Sequence, residues 1–145
     1  MAGEAAGIKW HEITIASNPG ARTEAERVVV EELEARGFNE ESCFSIKLAM
    51  EEAVVNAMKH GNNFDETKNV MVRYGFNGDT FWLVVRDEGP GFDYQTVPDP
   101  TDEQHVDLPY GRGIMLMHAY MDEVHFNKKG NEVTMVRANR PEKKS

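Results

Sequence analysis

Two runs rich in β-branched and aromatic residues, KNVMVRYGF and TFWLVVRDEG, flank Asn77-Gly78-Asp79. Asn-Gly tolerates the positive φ angles of a tight turn, so the two runs are predicted to be antiparallel hairpin neighbours. The same logic applies to DEVHFNKKGNEVTMVRA, in which Lys129-Gly130-Asn131 divides two further strands. Strands that meet in hairpins do not build a doubly wound sheet, whose parallel neighbours need helical crossovers. Another strand is expected over residues 8–17, IKWHEITIAS, where Ile13 and Ile15 face one way.

The helical segments fall between these strands. After the break at NPGAR, Thr23-Glu24-Ala25-Glu26 has the form of a capping box and predicts a helix start. Ala25, Val28, Val29 and Leu33 recur at helical spacing, and Gly37 is placed to end that helix at its C′ position. A second helix is expected over about residues 40–59, and GIMLMHAYM gives a short apolar third. The resulting order, β-α-α-β-β-loop-α-β-β, favours an α+β sandwich. Residues 90–110 read as an irregular lid-like loop, carrying Pro98, Pro100, Pro109 and several acids. Loops of that length without structure of their own are commonly functional or disordered.

A chain of 145 residues has the usual size of one domain, with the core expected over about 8–138 and a solvated tail over 139–145. The net charge of -9 argues against direct nucleic-acid binding, which needs a basic surface. The single cysteine, Cys43, excludes an internal disulfide and a cysteine metal cluster, and it reads as a small core residue. No apolar run approaches the ~20 residues of a membrane span. The N-terminal residues lack a signal-peptide pattern, so no membrane association and a cytoplasmic location are expected. Trp10 and Trp82 read as core or sheet-face residues, and Met115, Met117 and Met121 as helix packing. His105 and His125 lack metal-ligand spacing.

Three polar features interrupt the scaffold. The first is Glu52-x-x-x-Asn56 in AMEEAVVNAMKHGNN, whose side chains share one helix face with Lys59 and His60 a turn further on. An Asn carbonyl is a hard oxygen ligand of the kind Mg²⁺ accepts, and a carboxylate one turn away suits proton abstraction. Glu51 points about a quarter-turn away and is expected to be solvated, with Lys47 placed to pair with it. The second feature is Asp87-Glu88-Gly89-Pro90-Gly91-Phe92 at a strand end. There an Asp can accept from an exocyclic amine such as adenine N6, and glycines admit a flat ring. The third is Gly111-Arg112-Gly113 opening a helix, where exposed backbone N–H groups suit phosphate and Arg112 adds a charge-assisted contact. Each is common on its own. Their order along the chain is far more specific.

Together they resemble the N, G1 and G2 boxes of the GHKL (Bergerat-fold) ATPases over nearly the whole chain. Neither a Walker A motif nor G-x-G-x-x-G is present. The resemblance implies a two-layer α/β sandwich, with a mixed, mostly antiparallel sheet covered on one face by helices. It implies ATP with Mg²⁺ as cofactors, Asn56 as the Mg²⁺ ligand and Asp87 as the adenine reader. Gly89, Gly91 and Phe92 would then lie at the base and Gly111, Arg112 and Gly113 at the triphosphate. Lys59 and His60 complete the ATP-binding set, with HGNN ending its helix beside the phosphates.

Among GHKL proteins, LAMEEAVVNAMKHG, the short chain and the compact lid look like the anti-sigma-factor serine kinases of the RsbW/SpoIIAB type. No phospho-acceptor helix is expected before the domain, because His11 lies in a strand near the start. This likeness implies that Glu52 is the general base toward a serine hydroxyl. It implies a STAS-domain anti-anti-sigma protein as substrate, a sigma factor as the sequestered partner, a homodimer, and a role in transcription regulation under stress. Arg22 and Arg27 are candidate partner contacts, although an exposed helix face explains them equally well. Two other readings fit the same scaffold: a switch kinase acting on a STAS scaffold without holding sigma, and a nucleotide-gated binding module without turnover.

Overall fold

The computed structural model describes residues 7–91 and 111–140. Its strands are β1 (His11–Ala16), β2 (Asn69–Asn77), β3 (Thr80–Arg86), β4 (Glu123–Phe126) and β5 (Glu132–Ala138). They form one sheet in the order β1-β2-β3-β5-β4, and every pairing among the described residues is antiparallel. The helices are α1 (Pro19–Ala35), α2 (Glu40–Asn56) and α3 (Gly111–Tyr120), and α2 runs directly into a π-helical turn at Ala57–Gly61. The expected residues 92–110 of the lid, with Phe92, lie outside the described residues, as do the side chain of Arg112 and residues 141–145.

The hairpin between β2 and β3 forms where Asn77-Gly78 placed it. Asn77 pairs with Thr80, which leaves Gly78-Asp79 as the two-residue loop, and Gly78 supplies a φ of +62°. The start of α1 differs from the capping-box expectation. Asn18 is the N-cap, its side chain accepting from the Ala21 N–H, and Pro19 opens the helix with the fixed φ that suits a first position. Thr23 is already inside the helix, where its hydroxyl donates back to the Pro19 carbonyl. The end of α1 follows expectation: Gly37 takes a φ of +83°, and the Phe38 N–H reaches the Leu33 carbonyl at 3.0 Å in a Schellman closure.

α2 lies between α1 and α3, and all three cover one face of the sheet. Val29 and Leu33 of α1, Ile46, Met50 and Val54 of α2, and Met117 of α3 bury against Val72, Leu83 and Met135 of the sheet. Cys43 is buried in this core. Burial of this apolar surface is the main force holding the two layers together. The opposite sheet face carries a smaller cluster of Ile8, Trp82 and Val136, with Trp10 against it. Residues 8–10, expected to extend the first strand, instead lie across this face. Ile8 sits over Gly75, where a Cβ would collide with its side chain. The Arg73 guanidinium stacks 4.6 Å from the Trp10 ring.

Candidate functional site

The last turn of α2 and the first turn of α3 bring the first and third polar features together. A Cβ placed on Gly113 would lie 3.0 Å from Asn56 Nδ2 and 3.1 Å from Glu52 Oε1. Any side chain at position 113 would therefore press on both polar groups, and glycine keeps that space open. Gly111 and Gly113 stand in the first turn of α3, where helix N–H groups have no intrahelical acceptor. An anion is favoured at that positive end, next to an amide and a carboxylate.

The second feature sits on an open cleft that it shares with Asn56. Asn56, Ala53 and His60 line its helical wall, Val85 and Val133 its sheet wall, and Met117 and Phe126 add apolar surface. Asp87 and Gly91 line the same cleft. Asp87 is 9% exposed, and burial pushes its carboxyl above the ordinary carboxylate range, opposed mainly by the Gly89 N–H donating to Oδ1 at 2.7 Å. Burial, with the Lys59 charge adding to it, pushes the His60 imidazole below its ordinary range, so that it is neutral at pH 7. Apolar walls beside the buried Asp87 carboxylate suit a heterocyclic base carrying an amine.

The π-helical turn at Ala57–Gly61 packs directly against the Asp87–Gly89 segment. It ends at Gly61, where a Cβ would collide with the Asp87 carboxylate, and a Cβ on Gly89 would collide with the Gly61 carbonyl. Gly91, at φ +83°, packs as closely against the Lys129 carbonyl. The HGNN run packs against Asp87–Gly89, and His60 and Gly61 line the cleft. Lys59 is exposed and is not among the residues lining the cleft. Glu51 meets Arg22 at 3.6 Å, not the expected Lys47, because α2 turns that face toward α1. Arg22 is held as well by Glu26, which is 5% exposed and whose carboxyl burial pushes upward against the pull of Arg22. Arg27 pairs with Glu24 and Glu31 along α1.

Sequence reasoning missed Asn62, Gly61 and Asn131. Asn62 is 1% exposed and bonds three segments at once. Asn131 exchanges two bonds with the Asp87 backbone: the Asp87 N–H reaches its carbonyl at 2.9 Å, and its Nδ2 donates to the Asp87 carbonyl at 3.3 Å. Asn127 fixes that turn, its Oδ1 accepting from Gly130, Asn131 and Glu132. Nothing in HGNN separates buried Asn62 from exposed Asn63, so only the tertiary fold reveals it.

Residues 15–137 match the family of the histidine kinase-like ATPase domain. The serine-protein kinase RsbW of Bacillus subtilis is 31% identical over 115 residues, covering 70% of this chain and 68% of that one. RsbW of Oceanobacillus iheyensis is 29% identical over 106 residues, covering 69% and 67%. The anti-sigma F factor of Anoxybacillus flavithermus is 34% identical over 93 residues, covering 63% and 64%. A crystal structure of RsbU and RsbW domains from Mycobacterium tuberculosis superposes with a TM-score of 0.63 at 20% identity. It covers 94% of this chain, which spans 34% of that longer one, and the likeness carries the fold alone. The α+β sandwich is thus the GHKL fold, a domain that binds ATP. By the family match and these relatives, the chain belongs to the histidine kinase-like ATPase family and, within it, to the anti-sigma-factor protein-serine kinases of the RsbW type.

Proposed function

We propose that this protein is a cytoplasmic, single-domain kinase that transfers the γ-phosphate of ATP to a serine of a STAS-domain anti-anti-sigma protein. In its other state it sequesters a sigma factor, and it works as a homodimer. The observation that carries this reading is the convergence of Glu52 and Asn56 on Gly113, with Asn56 lining the same cleft as Asp87. This supports a site with base-reading groups at one end and phosphate-handling groups at the other. The names of the relatives, serine-protein kinase and anti-sigma F factor, support both halves of the reading.

Asn56 offers one hard oxygen beside a carboxylate and a helix N-terminus. This sparse oxygen set fits Mg²⁺, which keeps water and phosphate oxygens in most of its coordination sites. Asn56 would hold the ion, which supplies neutralisation of phosphate charge. The chain's own groups do the rest. Asp87 accepts from the base amine, the apolar walls exclude water from the ring, and the α3 amides face the phosphate oxygens. Glu52 takes the proton of the serine hydroxyl as its oxygen bonds to the γ-phosphorus and the bond to the β-phosphate oxygen breaks. Phosphoryl transfer depends mainly on such positioning and charge stabilisation.

Incubation with Mg-ATP and a STAS-domain partner should label a serine. Glu52→Ala should slow labelling by about 10²-fold or more while ATP binding persists. Undiminished labelling would remove Glu52 from its role. ATP binding without transfer to any partner would point to a nucleotide-gated binding module. A sigma factor retained in a pull-down, with retention altered by ATP, separates the anti-sigma kinase from a switch kinase that never holds sigma.

A further inference from the structure

We infer that Asn62 is a positioning residue that sets the nucleobase preference of the site by holding Asp87 in place. Its carboxamide uses both ends. Nδ2 donates to Ser17 Oγ at 3.0 Å and to the Asn69 carbonyl at 2.9 Å, and Oδ1 accepts from the Glu88 N–H at 2.8 Å. The donor side anchors the residue to the end of β1 and the start of β2. The acceptor side grips the peptide that follows Asp87. Asn62 is 1% exposed, so removing its side chain takes from Ser17, Asn69 and Glu88 the one group that ties all three together.

The linkage matters because the two segments it ties together are already in near-contact. Gly61 and Gly89 lie against each other with no room for a Cβ, and the Asp87 carboxylate rests on Gly61. A slip of a few tenths of an ångström there moves the carboxylate relative to the cleft. The Asn131 bonds restrain the Asp87 peptide only from the β5 side. Asn62 restrains it from the helical side, where His60 and Asn56 line the cleft. Asn62 touches the reader only through the backbone, so it acts on base recognition indirectly.

This inference rests on the reading of the cleft as an ATP site with Asp87 as its base reader. The test measures ATP and GTP affinity by calorimetry for wild type, Asp87→Asn, Asn62→Ala and Ser17→Ala. Asn62→Ala should weaken ATP binding roughly tenfold or more and shift the ATP-to-GTP ratio toward unity, in the same direction as Asp87→Asn. Ser17→Ala loses one donor-side partner and keeps the Glu88 bond, so it should lower the melting temperature and leave the ratio unchanged. If Asn62→Ala does not fold, Asn62→Ser carries the same expectation, because its shorter side chain falls short of the Glu88 N–H. Wild-type preference retained in the Asn62 variants, with Asp87→Asn having lost it, would overturn the positioning role alone. A wild-type protein that binds no adenine nucleotide would overturn the site reading and this inference with it.

Discussion

A carboxylate buried as deeply as that of Asp87 works against the fold that holds it. Burial raises its pKa in the folded protein, so folding favours the protonated form. The stabilising contribution is present at pH values below the unfolded carboxyl pKa, and it is lost as pH rises through the raised folded value. At pH 7 the ionised side chain therefore costs the apo-protein stability, offset in part by the Gly89 N–H. Asp87→Asn keeps the shape and the Gly89 acceptor but cannot ionise. Free of nucleotide, it should melt at or above the wild-type temperature at pH 7. That gap should narrow as pH falls toward 4 and Asp87 takes up its proton. Glu26, also raised by burial, titrates alike in both proteins and cancels from the comparison. Thermal melts from pH 7 to 4 check this, and a variant that melts well below wild type at pH 7 would make Asp87 a structural residue. The same substitution should lose ATP affinity, so stability and binding move in opposite directions, as expected where a site stores an unfavourable charge.

Among the elements, the π-helical turn after α2 carries the most consequence and was the least legible. Glu52 and Asn56 were readable because four-residue spacing on a helix fixes a shared face whatever the tertiary surroundings. The hairpin at Gly78 and the C-terminus of α1 at Gly37 were readable because positive φ has few sequence solutions. The turn at Ala57–Gly61 has no such signature: AMKHG continues a plausible α-helix, and nothing in those five residues marks the wider winding. Competing local signals explain the misread start of α1. Thr23-x-x-Glu26 is a sound capping box, yet Asn18-Pro19 lies upstream and wins, and Glu26 is drawn instead to Arg22. The wide turn makes a distinct prediction. Gly61→Ala adds one methyl group where the Asp87 carboxylate rests, so it should destabilise the fold by about 1–3 kcal/mol through overpacking. It should also weaken ATP by displacing the carboxylate. Gly37→Ala, at a φ of +83° and far from the cleft, should cost stability by about 1 kcal/mol with ATP affinity intact. Denaturant unfolding and nucleotide titration of the pair separate the two effects.

At the scale of the whole molecule, the cleft lies on the seam between the layers. Ala53, Asn56 and Met117 come from helices, whereas Val85, Phe126 and Val133 come from the sheet. A nucleotide seated there touches both layers, so global unfolding, which separates them, must release it. Binding then adds RT ln(1 + [L]/Kd) to stability, about 2.7 kcal/mol at a hundredfold excess over Kd. For a chain of this size that corresponds to a rise in melting temperature on the order of 10 °C. Mg²⁺ should enlarge the shift, because a protein of net charge -9 otherwise meets a polyanion with few compensating cations. Raising the salt concentration should affect the Mg-ATP shift less than the shift with ATP alone, since the neutralised complex has less long-range repulsion to screen. The expected order in a thermal melt is therefore Mg-ATP above ATP, and ATP above GTP, with Asp87→Asn showing smaller shifts that are equal for ATP and GTP. A wild-type shift equal for ATP and GTP would mean that triphosphate contacts at α3 carry the binding and that Asp87 reads nothing.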